Sequence, residues 1–274
     1  MSIEFSVLIP VYIKENPANL KTAMESILDN QTVLPQEVLV VEDGPITDEL
    51  EQVLSDISSK YPKVIRRIKL PINQGMGVAM NLGLNNVSCK WVARMDSDDI
   101  AVANRFETQL EFLKGHPEID VLGSAIEEFD HTPGDLKHFR TLPEAHDEII
   151  KLMKYRNPVN HMTVFFRSDI AIQAGGYWSN RYFEDYNLWY EMKKVGARFH
   201  NMSENLVHVR VGTNMVGRRS GYAYFTFERT LLKKFLADRF ISPLEYIWLA
   251  GVKLILRVMP TSFLRIVYKF FLRD

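Results

Sequence analysis

One cysteine, Cys89, stands alone in 274 residues, so no disulfide can close within the chain. Its apolar neighbourhood marks it as packing rather than as a nucleophile. The opening MSIEFSVLIP has neither the basic stretch nor the long apolar segment of an export leader. Together these absences lead us to expect a protein of the reducing cytoplasm. A membrane-spanning run is also missing. The most apolar segment, 243–259, is short for a span and carries Lys253 and Arg257. There is no internal repeat and no low-complexity stretch. With 46% hydrophobic and 24% charged residues, the composition is that of an ordinary globular protein and excludes disorder. The length suffices for one large α/β domain with an appendage, or for two small domains.

A net charge of −1 conceals an asymmetry. Residues 205–274 hold twelve Lys/Arg against four Asp/Glu, leaving 21 against 30 for the rest of the chain. An acidic body with a basic tail implies that the tail meets something anionic. After Pro260, Arg265, Lys269 and Arg273 recur every fourth residue, opposite Phe263, Ile266, Val267, Phe270 and Phe271. Basic, aromatic-rich amphipathic helices of this kind suit an anionic membrane surface, entered from the inner face of the plasma membrane. Basic residues alternating with large aliphatic faces argue against nucleic acid as the partner. A hairpin packed on the protein's own core is the competing expectation. If the tail is a surface anchor, a chain cut near Arg239 keeps its chemistry.

The first hundred residues alternate strand and helix signals. Short apolar runs at 5–11 and 38–41 read as buried strands, and 64–70 and 90–94 as a third and a fourth strand; helical spacing appears at 19–28, 50–57 and 75–84. Such alternation predicts a mostly parallel, Rossmann-like sheet flanked by helices, with ligands at the carboxyl ends of its strands. The polar clusters fall there: 12–15, 42–44, 73–77 and 96–99. Beyond them we expect a helix over 102–114, a strand over 119–126, a loop over 130–146, a strand over 162–166, a helix over 186–195 and a strand over 206–211.

The run DSDD at 96–99 follows directly on a strand. Three carboxylates in four residues repel one another, and a divalent cation relieves that repulsion. Hard oxygen ligands suit Mg²⁺ or Mn²⁺ with phosphate as co-ligand. A helix cap needs only one such acid.

Other motifs give this cluster a context. SVLIPVY lies at 6–12, Asp43 closes the second strand in VEDG, NQGMGVAMN spans 73–81, and Glu184 and Asp185 precede an aromatic helix in GGYWSNRYFEDYNLW. In this order and at these separations the chain resembles the family 2 glycosyltransferases of the GT-A fold over roughly residues 4–215. The segments NPVNH at 157–161 and VRVGTNMVGRR at 209–219 are similar to the subgroup that builds bacterial surface polysaccharides.

The resemblance implies roles. Pro10, Val11 and Tyr12 would line the base and ribose, with Glu15, Gly75 and Asn81 also on the nucleotide side. Asp43 would accept from the base ring N–H, favouring UDP. Asp96 would bind ribose or sugar hydroxyls, and Asp98 the metal bridging the diphosphate. Asp185 would be the catalytic base, with Glu184 beside it. Apart from the resemblance, His161 is either a structural histidine or a contact to acceptor or diphosphate, Arg210, Arg218 and Arg219 can reach phosphate oxygens with forked hydrogen bonds, and the last two can instead face lipid phosphates. Met80 stands where the family often carries an arginine, so no cationic clamp is expected from that helix. The implied reaction is single, inverting transfer of a hexosyl or N-acetylhexosaminyl group from a UDP-sugar to a lipid-linked or oligosaccharide acceptor. Residues 1–102 would form the nucleotide-sugar half, 103–215 the acceptor half of the same domain, and 216–274 a helical tail. A nucleotidyltransferase would show a glycine-rich, lysine-bearing loop after the first strand, and a processive synthase long membrane spans with a Gln-x-x-Arg-Trp segment; neither is present. A non-catalytic sugar-nucleotide-binding subunit would not need Asp96, Asp98 and Asp185 together.

Overall fold

A computed structural model describes residues 3–211 and 220–259. Its first four strands are β1 (Phe5–Val11), β2 (Glu37–Glu42), β3 (Ile65–Lys69) and β4 (Trp91–Arg94). They alternate with α1 (Pro17–Ile27), α2 (Asp48–Lys60) and α3 (Met76–Leu84), as the apolar periodicity predicts. Every residue of β1 and β2 is buried. Val7, Ile9, Val38 and Val40 enter one hydrophobic core, while Leu8, Leu39 and Val41 enter the other. A strand covered on both faces by helices is apolar on both, which is why the runs within β1 and β2 are continuous rather than alternating. Asn16 starts α1 by accepting from the Ala18 and Asn19 N–H groups, with Pro17 in the first turn.

The chain continues through β5 (Ile100–Ala101), α4 (Arg105–Gly115), β6 (Val121–Phe129), β7 (His138–Arg140), α5 (His146–Met153), a 3-10 turn (His161–Thr163), β8 (Phe165–Arg167), α6 (Ser168–Gln173), α7 (Glu184–Lys194) and β9 (Phe199–Arg210). Two further helices follow, α8 (Tyr222–Ala237) and α9 (Pro243–Val258). The described strands form one sheet in the order β3-β2-β1-β4-β8-β6-β9-β5, with β7 paired to β6. The pairs β1–β2, β1–β4, β2–β3 and β6–β9 are parallel; β8 is antiparallel to β4 and β6, and β5 to β9. The carboxyl ends of β1, β2, β3 and β4 therefore open on one edge.

The second half departs from the sequence expectation in detail. The helix expected from Val102 begins at Arg105, because Ile100 and Ala101 pair with His208 and Val207 instead. The loop expected over 130–146 contains β7. Helices α5 and α6 went unanticipated; each is too short for a 3.6-residue period to show, and α5 buries only Ile149 and Met153.

The C-terminal helices share the main core. Leu231, Leu232 and Phe235 of α8 and Leu249 of α9 are buried in it, and the Phe235 ring centre lies 4.4 Å from that of Tyr190. A capping box between Ser242 and Glu245 starts α9. Lys253 and Arg257 turn inward: Lys253 Nζ lies 2.6 Å from Glu228 Oε1, and Arg257 Nε lies 2.9 Å from Glu228 Oε2. Two cations of the basic surplus thus share one buried carboxylate inside the protein. The outer side of α9 exposes Leu244, Ile247, Trp248, Ile255 and Val258. Core packing and an exposed apolar face occupy opposite sides of one helix. The basic repeat after Pro260 lies outside the described residues. No described helix is long and apolar enough to cross a membrane.

Glu228 is 3% exposed, so its removal would leave two cations with little solvent to replace it. Glu228→Leu is expected to destabilise the fold by about 3–5 kcal/mol, the cost of breaking a buried ion pair from one side. A lowered urea midpoint with an unchanged slope checks this. A loss below 1 kcal/mol, of the size typical for exposed pairs, would contradict it.

Candidate active site

Strand ends supply the first wall. Pro10 and Val11 are buried within β1, paired with Val41 and Glu42, and leave Tyr12 as the partly exposed residue of the three. Glu15 lies just beyond; its Oε2 accepts from Ser97 Oγ, joining the loop after β1 to the loop after β4. Asp43, at the end of β2, is 5% exposed. Its two oxygens accept from the Gln74 N–H at 2.7 Å and the Gly75 N–H at 2.9 Å, pinning the turn that launches α3. Gly75 has φ 92°, a left-handed conformation that glycine adopts without steric cost. Each Asp43 oxygen keeps a further lone pair for a ligand.

The acidic cluster is balanced by guanidinium groups that are not its sequence neighbours alone. Arg94, 1% exposed, donates from Nη2 to Asp96 Oδ1. Arg105, fully buried, donates from Nη2 to the Arg94 carbonyl at 2.7 Å. Arg210 brings its N–H to Asp99 Oδ1 at 2.9 Å and its Nε to the Asp98 carbonyl at 3.2 Å. The balance is incomplete. Burial, then the Asp96 and Glu15 charges, push the Asp98 carboxyl up to about 7. Burial, Asp96 and Asp98 push Asp99 well above the ordinary range, and its Oδ2 has no hydrogen-bond partner. A hard cation fits this surplus of carboxylate oxygen. Among the described residues no three metal-binding side chains converge on one point. The site therefore suits an ion that brings phosphate and water ligands of its own, as Mg²⁺ and Mn²⁺ do.

The opposite wall is the start of α7. Glu184 and Asp185 occupy its first turn, where the helix dipole favours negative charge. Asp185 Oδ2 accepts from Asn157 Nδ2 at 2.5 Å, and Oδ1 from the Tyr186 N–H at 2.7 Å. Burial and the adjacent Asp185 charge push Glu184 up to about 7, with Arg94 opposing and Asp96 reinforcing. The two walls thus lie within electrostatic reach of each other. They meet at the first turn of α3, where a Cβ added to Gly77 would stand 2.0 Å from the Trp178 carbonyl oxygen and 3.3 Å from Glu184 Cβ. Asn81 fastens the same junction, its Oδ1 accepting from the Tyr177 N–H at 3.1 Å. Tyr182 and Phe183, just before the carboxylate pair, have φ of 68° and 59°. Left-handed backbone at such bulky residues stores strain of about 1–3 kcal/mol each.

His161 is turned toward the core. Its Nε2 lies 2.9 Å from Tyr177 Oη, its ring meets Trp189 edge-on, and burial beside the Arg94 charge holds its pKa well below the usual range. Arg210 serves the backbone of the acidic loop and lies over the Phe129 ring at 4.5 Å. Arg218 and Arg219 lie outside the described residues. Arg94, Ser97, Gly77 and Asn157 were not singled out from the sequence. A buried arginine two residues before an acidic cluster is a signal for the first, and Asn157 opens the NPVNH segment already noted.

The model of the family described as Glycosyl transferase family 2 matches residues 6–225. The amylovoran biosynthesis glycosyltransferase AmsE of Erwinia amylovora is 37% identical over 266 residues, covering 97% of this chain and 98% of the relative. The UDP-Gal:alpha-D-GlcNAc-diphosphoundecaprenol beta-1,3-galactosyltransferase of Escherichia coli is 36% identical, covering 97% of this chain and 95% of the relative. The crystal structure of S. aureus TarS with UDP-GlcNAc is similar with a TM-score of 0.62 at 19% identity, covering 98% of this chain and 73% of that one. That likeness concerns the fold, which is the GT-A fold the motifs implied.

The raised carboxyls carry a sign. Asp98 and Glu184 titrate near 7 in the folded protein, above their ordinary 3.8 and 4.5. Between these limits the folded chain binds more protons than the unfolded one, so its stability falls as pH rises through about 4–7. Without metal, the melting temperature should be lower at pH 8 than at pH 6. Mn²⁺ with UDP should raise it more at pH 8, where the carboxylates are ionised. Scanning calorimetry at both pH values checks this; a larger metal effect at pH 6 would contradict the assignment of Asp98.

Proposed function

The chain belongs to glycosyl transferase family 2, and from that premise we propose a non-processive, inverting transferase that moves one sugar from a UDP-sugar to an acceptor hydroxyl in bacterial polysaccharide assembly. The observation that carries this reading is the meeting of two carboxylate groups across α3: Asp96 and Asp98 on one wall, Glu184 and Asp185 on the other. The sugar is a hexose or N-acetylhexosamine. The acceptor is lipid-linked or an oligosaccharide; the named activity of the Escherichia coli relative, on a diphosphoundecaprenol-linked sugar, supports the former.

In this reading Tyr12 and Asp43 receive the base, with Pro10 and Val11 as the strand floor beneath and Gly75 letting the backbone come close. Asp43 uses its remaining lone pairs for the uracil N–H while its other bonds hold the 73–75 turn. Asp96 binds ribose or sugar hydroxyls, Glu15 braces the loop through Ser97, and Asp98 would hold Mn²⁺ or Mg²⁺. The bound ion would neutralise negative charge growing on the departing diphosphate. Asn81 holds the two walls together, and His161 supports the acceptor side from below through Tyr177. Arg210 keeps Asp98 and Asp99 in place behind the diphosphate.

The acceptor hydroxyl attacks the anomeric carbon from the face opposite the leaving UDP. Its oxygen forms the new bond as the bond to the diphosphate oxygen breaks, and its proton passes to Asp185. Asn157 and the Tyr186 N–H aim that carboxylate. Glu184, near half-protonation at neutral pH, can hydrogen-bond an acceptor hydroxyl as donor or acceptor.

Asp185→Asn keeps size and shape but removes the base. We expect kcat lower by roughly 10²-fold or more with near-normal affinity for UDP and Mn²⁺. NMR of the wild-type product should show the anomeric configuration opposite to the donor's. Wild-type kcat in the variant, or retention in the product, would reject single displacement with this base. Absence of any UDP release by the wild type across a panel of UDP-sugars and lipid-linked acceptors would favour the non-catalytic alternative.

The exposed face of α9, continued by the basic sequence after Pro260, meets an anionic bilayer at the cytoplasmic side. Binding to vesicles containing phosphatidylglycerol should weaken with salt, each basic residue near the surface contributing about 1 kcal/mol. Trp248→Glu should weaken it further in a flotation assay. Equal binding to neutral vesicles, or binding unaffected by salt, would reject an interfacial anchor.

A further inference from the structure

The strained pair before the catalytic carboxylates is held from outside its own helix. Phe183 is the N-cap of α7 and makes no side-chain capping bond there. The restraint comes from α8. The ring centre of Tyr224 lies 4.8 Å from that of Tyr182 and 4.9 Å from that of Phe183. Phe227, one turn further along α8, lies 5.8 Å from Tyr182. Two rings of a distant helix thus pack against the two residues whose backbone must stay left-handed.

Tyr224 is in turn held by α9. The Arg257 guanidinium lies over its ring, 4.7 Å from the centre. Glu228 fixes that guanidinium through Nε at 2.9 Å and Nη2 at 3.2 Å, and also binds Lys253 Nζ at 2.6 Å. The Arg257 carbonyl accepts from the Gly221 N–H at 2.7 Å, tying the start of α8 to the end of α9. An aromatic face, a planar cation and a buried acid stacked in this order fix each other's positions, because a guanidinium can stack and hydrogen-bond at once.

We propose that Tyr224 is a positioning residue for the Glu184 and Asp185 pair, and that the Glu228–Arg257 contact makes α8 and α9 part of the catalytic scaffold. The inference rests on Asp185 being the base. It runs against the expectation that a chain cut near Arg239 keeps its chemistry, since that cut removes both cations bound by Glu228. It also gives α9 two faces with two tasks: the outer one is exposed, and the inner one reaches the catalytic turn through two side chains.

The test measures kcat for UDP release from whichever of UDP-galactose, UDP-glucose and UDP-N-acetylglucosamine the wild type hydrolyses fastest. UDP affinity with Mn²⁺ is measured alongside by calorimetry. Tyr224→Leu preserves bulk without the ring and should lower kcat by roughly ten- to a hundredfold, the effect of a displaced catalytic group. UDP affinity should stay at the wild-type value, because in this proposal Tyr224 acts through the start of α7. Tyr224→Phe should restore kcat. Arg257→Lys keeps a charge for Glu228 but cannot stack as a plane; it should lower kcat several-fold at unchanged UDP affinity. If Tyr224→Leu does not fold, Arg257→Lys decides the matter. Wild-type kcat in the deciding variant, or parallel loss of kcat and UDP affinity, would overturn the proposal. Failure of Tyr224→Phe to recover would overturn it as well. An inactive Asp185→Asn beside a fully active Tyr224→Leu would sink this inference alone, whereas an active Asp185→Asn would sink the assignment of the base.

Discussion

Carboxylates crowded at the end of β4 impose the constraint to which much of the molecule answers. Asp96, Asp98 and Asp99 repel one another, and their position at a buried strand end denies them the screening of water. The protein supplies three guanidinium groups in return. Arg94 comes from the strand itself and binds Asp96, while Arg105 from the start of α4 and Arg210 from the far end of β9 act on the acids through their charge. The short pairing of β5 with β9 gains its meaning here, since it sets the register that delivers Arg210 to Asp99. The compensation is partial: burial first, and then the neighbouring carboxylates, raise both Asp98 and Asp99. A site that is uncomfortable without a cation is suited to bind one together with its diphosphate.

The second constraint is the closeness of two walls that come from different parts of the chain. The first turn of α3 touches the loop that leads into α7, and only glycine fits at position 77. Asp43 pins the turn before α3, Asn81 pins the loop beyond it, and Asn157 aims Asp185. The strain at Tyr182 and Phe183 belongs to this junction. Local unwinding there would move Glu184 and Asp185 first, and the aromatic contacts with α8 pack against that point.

The strand-end polar clusters of the first half were legible in the sequence because their signals are local. A buried parallel strand needs a continuous apolar run, an amphipathic helix a 3.6-residue period, and polar clusters between them fall at strand ends. Asp43, Gly75, Asp96 and Asp98 could be placed that way. Short elements could not: α5 and α6 have one turn or two, and β5 has two residues. Their existence depends on what they pack against.

The sequence by itself determined the alternation of strands and helices, the acidic end of β4, and the carboxylate pair at the mouth of α7. Only the tertiary structure decided the partners. Asn157 reaches Asp185 across 28 residues, Arg210 reaches Asp99 across 111, and Lys253 turns inward to Glu228 across 25. The physical reason is that a propensity or a period acts within a few residues. A hydrogen bond or ion pair is chosen by which side chains packing leaves facing each other, and that is settled once the whole sheet and its helices have come together.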